Sequence, residues 1–170
     1  MDALETILTR RSIRSYLRKE VSLETVKELL RAAMYAPSAA DEQPWHFIVV
    51  TDSSLLEQIP AIHPYAGMVG QAPVAVVVCG NPGSERHAGM WVQDCAAATQ
   101  NMLLAAHAMG LGSVWVGVYP REERMAPLRK LLHIPDTIQP FAILPLGYPA
   151  EYLEPKEDHF LEERIRFNRW

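Results

Sequence analysis

Residues 72–112 read APVAVVVCGNPGSERHAGMWVQDCAAATQNMLLAAHAMGLG, and this stretch decides the layout of the chain. Val74 to Cys79 is almost wholly apolar, as a central strand buried on both faces requires. Asn81-Pro82-Gly83-Ser84 is a turn. Ala88 to Met109 then reads as one long helix closed by Gly110 and Gly112. Asp94 is the only formally charged residue in that helix, so nearly every face of it calls for cover. Gln93, Gln100 and His107 recur every seven residues as a narrow polar seam, with Asp94 and Asn101 beside it. The alanines at 96, 97, 98, 105, 106 and 108 allow another helix to come close. Such a helix is either a subunit interface or a central helix wrapped by its own chain.

Outward from this block, Ser113 to Tyr119 reads as a strand, Arg121 to Leu132 as a helix, and Thr137 to Leu146 as a strand interrupted by Pro140 and Pro145. The tail, Gly147 to Trp170, is charged with scattered aromatics and lacks linker composition, so it is expected to wrap the body or a partner. Towards the N-terminus, residues 62–71 carry no clear pattern. Asp52 or Ser53 caps a short helix ending before Pro60, and Trp45 to Thr51 (WHFIVVT) is a strand. The loop Ala36 to Pro44 has proline at both ends. Ser22 is an N-cap for a helix through Leu23, Val26, Leu29, Leu30 and Ala33. Asp2 to Thr9 is a short amphipathic helix with Leu4, Ile7 and Leu8 on one side.

The bulk numbers narrow the class. A chain of 170 residues with 49% hydrophobic composition is expected to form a single domain, residues 1–170, around a proper core. A net charge of −4 argues against a nucleic-acid surface. Cys79 and Cys95 lack CxxC spacing and point to neither a disulfide framework nor zinc. Acids at 2 and 5 interrupt the N-terminus, which does not read as a signal peptide, so a cytoplasmic location is expected. Gln93, Asp94, Gln100, Asn101 and His107 make the longest apolar stretch a poor membrane span.

Against this acidic background, five of the sixteen basic residues fall between positions 10 and 19, in RRSIRSYLRK. Arg10, Arg11 and Arg14 stay protonated, and held in one turn they repel each other unless an anion lies among them. A phosphate suits the guanidinium fork, with Ser12 adding a hydroxyl. The alternative is a solvated helix end in which these arginines pair with Glu5, Glu20 or Glu24. Other chemistries fit less well. The six histidines show no HxH or HExxH spacing, so no metal site is expected, and Ser113 and Ser38 lack a nucleophile elbow. Gly110, Gly112 and Gly117 precede a strand where a dinucleotide fingerprint would follow one.

About two dozen residues beyond the arginines comes Ala36-Pro37-Ser38-Ala39-Ala40-Asp41-Glu42-Gln43-Pro44-Trp45. This pairing resembles the FMN-dependent nitroreductase family, whose members show R-R/H-S-x-R/K-x-F/Y and then P-S-x-x-N-x-Q-P-W leading into a strand. The likeness continues through Gln93-Asp94, residues 101–104, GLGSVWVG at 110–117 and Pro145-Leu146-Gly147-Tyr148, and it ends in Arg164 to Trp170. It implies an α+β fold, a mixed and largely antiparallel sheet flanked by helices, in a homodimer with two FMN sites at the interface and the tail 147–170 over the partner. Arg10, Arg11 and Ser12 would hold the phosphate and ribityl chain, with Arg14 near N1 and O2 of the ring. Pro37, Ser38 and Ala39 would reach the flavin from the other subunit, with Gln43 close by. Trp115, Val116 and Gly117 would pass beside the ring, where a backbone N–H can face N5. Lys156 and His159 are the matches for the tail's phosphate contacts. Two positions depart from the pattern: Asp41 replaces the usual asparagine, and His159 stands where arginine is common.

The activity this resemblance implies is hydride transfer from NADH or NADPH to FMN, then to a nitroaromatic or quinone acceptor, by a ping-pong route. The cofactor carries the electron chemistry while the protein orients it and sets the field around it. Tyr65 and Met68 are candidates for the substrate side. A reductive dehalogenase, a flavin-fragmenting enzyme or a non-catalytic FMN carrier are the alternatives. A structural module with paired arginines would bind no chromophore.

Overall fold

The computed structural model describes residues 1–154 and 158–170. At its centre is β2 (Val74–Gly80), every residue of which is buried. It lies antiparallel between β1 (Trp45–Val50) and β5 (Gln139–Gly147). The far edge of β5 pairs with two short strands, β3 (Gly112–Ser113) and β4 (Val116–Gly117). The spatial order is β1-β2-β5-β3, with β4 beside β3 on the same edge. Every ladder among the described residues is antiparallel, so the expected mixed sheet is corrected to an antiparallel one.

Side chains alternate across a strand, and here they divide two cores. Val74, Val76 and Val78 face α2 (Leu23–Met34) and α5 (Trp91–Ala108), packing against Leu29, Ala33, Cys95, Ala98 and Met102. Ala75, Val77 and Cys79 face the opposite way, against α3 (Ser53–Leu56), α4 (Ile59–Ile62) and α6 (Glu122–Leu132) through Leu56, Ile59, Met125 and Leu128. The N-terminal helix α1 (Ala3–Thr9) opens on a capping box, in which Asp2 accepts from the N–H of Glu5 and Glu5 accepts from that of Asp2. The α2 cap is Ser22, whose hydroxyl accepts from Thr25 N–H at 3.1 Å.

Several expectations are revised. The strand foreseen at 113–119 is two short pieces, broken at Val114–Trp115. Leu144 and Pro145 lie opposite that break, and Pro145 has no N–H to give to a ladder. The same prolines do not interrupt β5, which runs unbroken from Gln139 to Gly147 with a bulge opposite Val78–Cys79. The long helix starts at Trp91 rather than Ala88: Gly89 has φ +89°, and the Glu85 carboxylate accepts from the N–H groups of Gly89 and Trp91. The short helix capped by Asp52, α3, ends before Pro60 as expected, and Pro60 itself stands in the first turn of a second one, α4. Residues 67–71 form a tight helical turn.

Burial differs too. Helix α5 is not covered all round, because Gln93, Gln100 and Ala108 are exposed and Ala96, Ala97, Leu104 and His107 half-buried. The polar seam is therefore an open stripe. Leu4, Ile7 and Leu8 of α1 are also exposed, as are Phe160, Phe167 and Trp170 in the tail. No helix among the described residues is long and apolar enough to cross a membrane.

Candidate functional site

Residues 10–14 leave α1 as extended backbone pinned from two sides. Ile13 N–H donates to Ser113 O at 3.0 Å, Leu17 N–H to Tyr148 O at 2.8 Å, and Ala150 N–H to Ser15 O at 2.9 Å. Glu151 Oε1 accepts from the backbone N–H of Arg14 and of Ser15, at 2.6 and 3.1 Å. Ile13 turns inward onto Gly112, where an added Cβ would stand 2.6 Å from Ile13 Cγ2 and 2.8 Å from its Cβ. Only glycine admits this approach. With Ile13 inward, Ser12 and Arg14 face a cleft of about 330 Å3 together with Arg10, Arg11 and His159.

None of Arg10, Arg11 and Arg14 takes part in an ion pair among the described residues. Glu24 pairs with Lys27 and Glu5 serves the α1 cap, so the alternative of arginines neutralised by nearby acids fails. Burial, reinforced by the charge of Arg11, pushes the Arg10 guanidinium below its ordinary pKa. Behind it on α5, His107 is also pushed down, by burial first and then by Arg10; its Nε2 lies 2.9 Å from Thr9 Oγ1. A cradle of cations without a carboxylate partner among the described residues, Arg10 and Arg11 half-buried, with one hydroxyl beside them, has the donors a phosphate monoester takes. The residues present therefore fit the phosphate end of FMN.

Arg14 also lines a second cleft, of about 520 Å3, with Val114, Trp115, Val116 and Gly117 on one wall and Tyr65 and Met68 on another. Trp115 is partly exposed and meets Phe141 edge-on, with centroids 5.6 Å apart. The break between β3 and β4 is what presents this wall. The Gly117 carbonyl accepts twice, from Arg124 Nη1–H at 3.0 Å and from His63 Nε2–H at 2.8 Å. The histidine tautomer follows from its other nitrogen, since His63 Nδ1 accepts from Tyr65 N–H at 3.1 Å. Sequence reasoning missed His63 and Arg124: a lone histidine and a charge in a helix's first turn look like core filler and solvated surface.

The loop 37–43 lies elsewhere. Ala39 N–H donates to Asp94 Oδ1 at 3.1 Å, near the start of α5, whereas Thr9 and Arg10 adjoin His107 near its end. Thirteen residues at 1.5 Å per residue put the two ends about 20 Å apart. Pro37, Ser38, Ala39 and Gln43 therefore line neither cleft of their own chain. The loop is strained, with φ +49° at Ala40, +54° at Asp41 and +49° at Gln43. It is held by Gln43 N–H to Ser38 Oγ at 3.0 Å and by Arg86 N–H to Glu42 Oε1 at 2.8 Å. Asp41, the departure from the family pattern, accepts from the Gln43 side-chain amide at 2.9 Å. Lys156 falls outside the described residues. Among the described residues no group of His, Cys, Asp and Glu is placed to hold a metal.

Comparison with known proteins identifies the family and the fold. The family model for the nitroreductase family matches residues 7–62 and 61–148. A candidate NADH dehydrogenase/NAD(P)H nitroreductase of Methanothermobacter thermautotrophicus is 53% identical over 170 residues, covering 100% of this chain and 88% of that protein. The crystal structure of a protein so described from Parabacteroides distasonis superposes with a TM-score of 0.94 at 43% identity, covering 98% of both chains. A nitroreductase of Desulfovibrio desulfuricans, solved in complex with FMN, gives 0.87 at 32% identity, covering 100% of this chain and 99% of that one. On the arginine cradle, the antiparallel sheet and these likenesses together, the chain belongs to the nitroreductase family.

Proposed function

We propose that this protein, an NAD(P)H-dependent flavin oxidoreductase, passes electron pairs from NADH or NADPH to a small nitroaromatic or quinone acceptor in ping-pong order, with both substrates using one cleft in turn. The observation that carries the reading is Arg14, which lines both clefts and joins an anion cradle to an open slot walled by Trp115, Val116 and Gly117. FMN bound by these residues would supply the two-electron exchange between nicotinamide and acceptor.

The chain's own residues do the rest. Arg10, Arg11, Ser12 and His159 would hold the phosphate, and Arg14, lining both clefts, would set a fixed positive charge near the ring to stabilise negative charge developing on reduction. The backbone at Val116 and Gly117 forms the neutral wall, made rigid because the Gly117 carbonyl is held by two donors. Lys156 is proposed to add a phosphate contact from the tail.

The working form is a homodimer, with residues 1–170 as one domain and the tail over the partner. Three observations support it: the open, alanine-rich stripe of α5, the exposed Phe160, Phe167 and Trp170, and the loop 37–43 standing about 20 Å from its own chain's cradle. Across a dimer, Pro37, Ser38, Ala39 and Gln43 would serve the partner's flavin.

The test is a pair of half-reactions on protein loaded with FMN and desalted. Retention of one FMN per chain, bleaching by nicotinamide without acceptor, and recovery of colour when a quinone is added anaerobically are the expected results. Retained flavin that neither nicotinamide bleaches would leave a carrier, and a protein that keeps no flavin would end the reading.

A further inference from the structure

The second cleft contains a cation most of whose donors are left free by its hold on the Gly117 wall. Arg124, in the first turn of α6, spends one N–H on the Gly117 carbonyl at 3.0 Å. A guanidinium carries five N–H donors, so four remain. Its central carbon lies 5.5 Å from the centroid of the Tyr65 ring, on the cleft wall facing Trp115. Among the described residues no aspartate or glutamate lines this cleft and no carboxylate forms an ion pair with Arg124. Glu122, on the same turn, is 3.6 Å from Arg129 instead. Arg124 is half-buried, so its charge is only partly screened by water, and it stands over an aromatic ring suited to stack on another.

We propose that the acceptor reduced here is an anionic ring, an aromatic or quinonoid molecule bearing a carboxylate or sulfonate, and that Arg124 selects it. The inference rests on the reading that this cleft receives the electron acceptor. The anionic group would take the free edge of the guanidinium while the ring lies between Tyr65 and the Trp115–Gly117 wall. Arg124 is hydrogen-bonded to Gly117 of that wall, so the anion it holds sits beside the wall itself. That reach suits a substituent on a small acceptor better than a distant phosphate of the nicotinamide dinucleotide. His63 is a positioning residue in this arrangement, sharing the Gly117 carbonyl with Arg124 and fixing its direction.

The test compares para-nitrobenzoate with its neutral near-isostere para-nitrobenzamide. The reaction is the balanced two-electron step in which the nitro compound, NADH and one proton give the nitroso compound, NAD+ and water. In the wild type, kcat/KM for the benzoate is expected to exceed that for the benzamide by about tenfold to a hundredfold, the worth of one charge-assisted contact. In Arg124→Gln the preference should collapse to near unity, and in Arg124→Lys, which keeps charge but loses the fork, it should be intermediate. Equal kcat/KM for the two acceptors in the wild type overturns the proposal without any variant. A loss in Arg124→Gln that falls mainly on kcat/KM for NADH or NADPH overturns it in favour of a contact to the donor's phosphate. Wild-type protein that keeps FMN and is bleached by NADH, yet ignores acceptor charge, defeats this proposal alone; protein that keeps no FMN defeats both it and the reading beneath it.

Discussion

Replacing Arg10 by glutamine should weaken FMN binding while leaving the free protein no less stable. In the free protein the guanidinium is partly buried, lacks a carboxylate partner among the described residues, and is pressed by Arg11. Removing its charge thus relieves a repulsion, and the cofactor-free form should keep its stability to within about 0.5 kcal/mol or gain slightly. Against a bound phosphate the same group makes a charge-assisted contact of roughly 2 kcal/mol, which is about a 30-fold change in dissociation constant. Wild type at about 100 times its dissociation constant gains about 2.7 kcal/mol from ligand. At the same FMN concentration the variant sits near three times its own constant and gains about 0.9 kcal/mol. At about 3 °C per kcal/mol for a domain of this size, the FMN-induced rise in Tm falls from about 8 °C to about 3 °C. Paired thermal melts with and without FMN, with binding followed by flavin fluorescence, read both numbers. An equal FMN shift in the two proteins would place the phosphate elsewhere. A free variant less stable by more than about 1 kcal/mol would mean that Arg10 serves the fold itself.

Three further outcomes are expected. The His107 pKa is lowered from 6.5 in the folded chain, so the unfolded chain binds more protons below that value. Stability should be full above about pH 6.5 and fall as pH drops towards the folded value. Urea titrations of wild type and His107→Gln should diverge only in that acid window, and parallel curves would refute the assignment. Gly112→Ala would drive a methyl into Ile13; we expect about 1–3 kcal/mol of destabilisation in chemical unfolding and a weaker FMN titration, and an unchanged titration would show that Ile13 does not position the cradle. Ala40→Gly relieves a φ of +49°, so unfolding free energy should hold or rise by up to about 1 kcal/mol. A clear loss would show that the loop is not strained at that residue.

Where one local signal sufficed, the sequence was a good guide. The apolar run 74–79 could only be a two-sided buried strand, and Ser22 with the Val26–Leu29–Ala33 spacing could only be a capped amphipathic helix. The arginine cluster was legible because like charges packed into one turn need an answer from outside. What was not legible depended on partners distant in sequence. The split of 113–119 depends on Pro145 across the ladder, and the late start of α5 depends on the Glu85 carboxylate. The open face of α5 and the exposed Leu4, Ile7 and Leu8 cannot be told from buried ones by composition, because both faces are rich in small or apolar residues. Arg124 and His63 escaped because their importance lies in sharing one carbonyl oxygen, which no spacing rule records.

The cradle is stitched from segments far apart in the sequence. The segment 10–17 is held by Ser113, Tyr148, Ala150 and Glu151, the last of these 137 residues beyond Arg14. During synthesis the arginine run emerges well before the segments that shape it. Such distant pairings form late, after the entropy of closing a long loop has been met. The proposed cradle is therefore shaped only once residues 113–151 are in place: a product truncated before residue 148 would carry the full arginine cluster and lack the backbone that aims it.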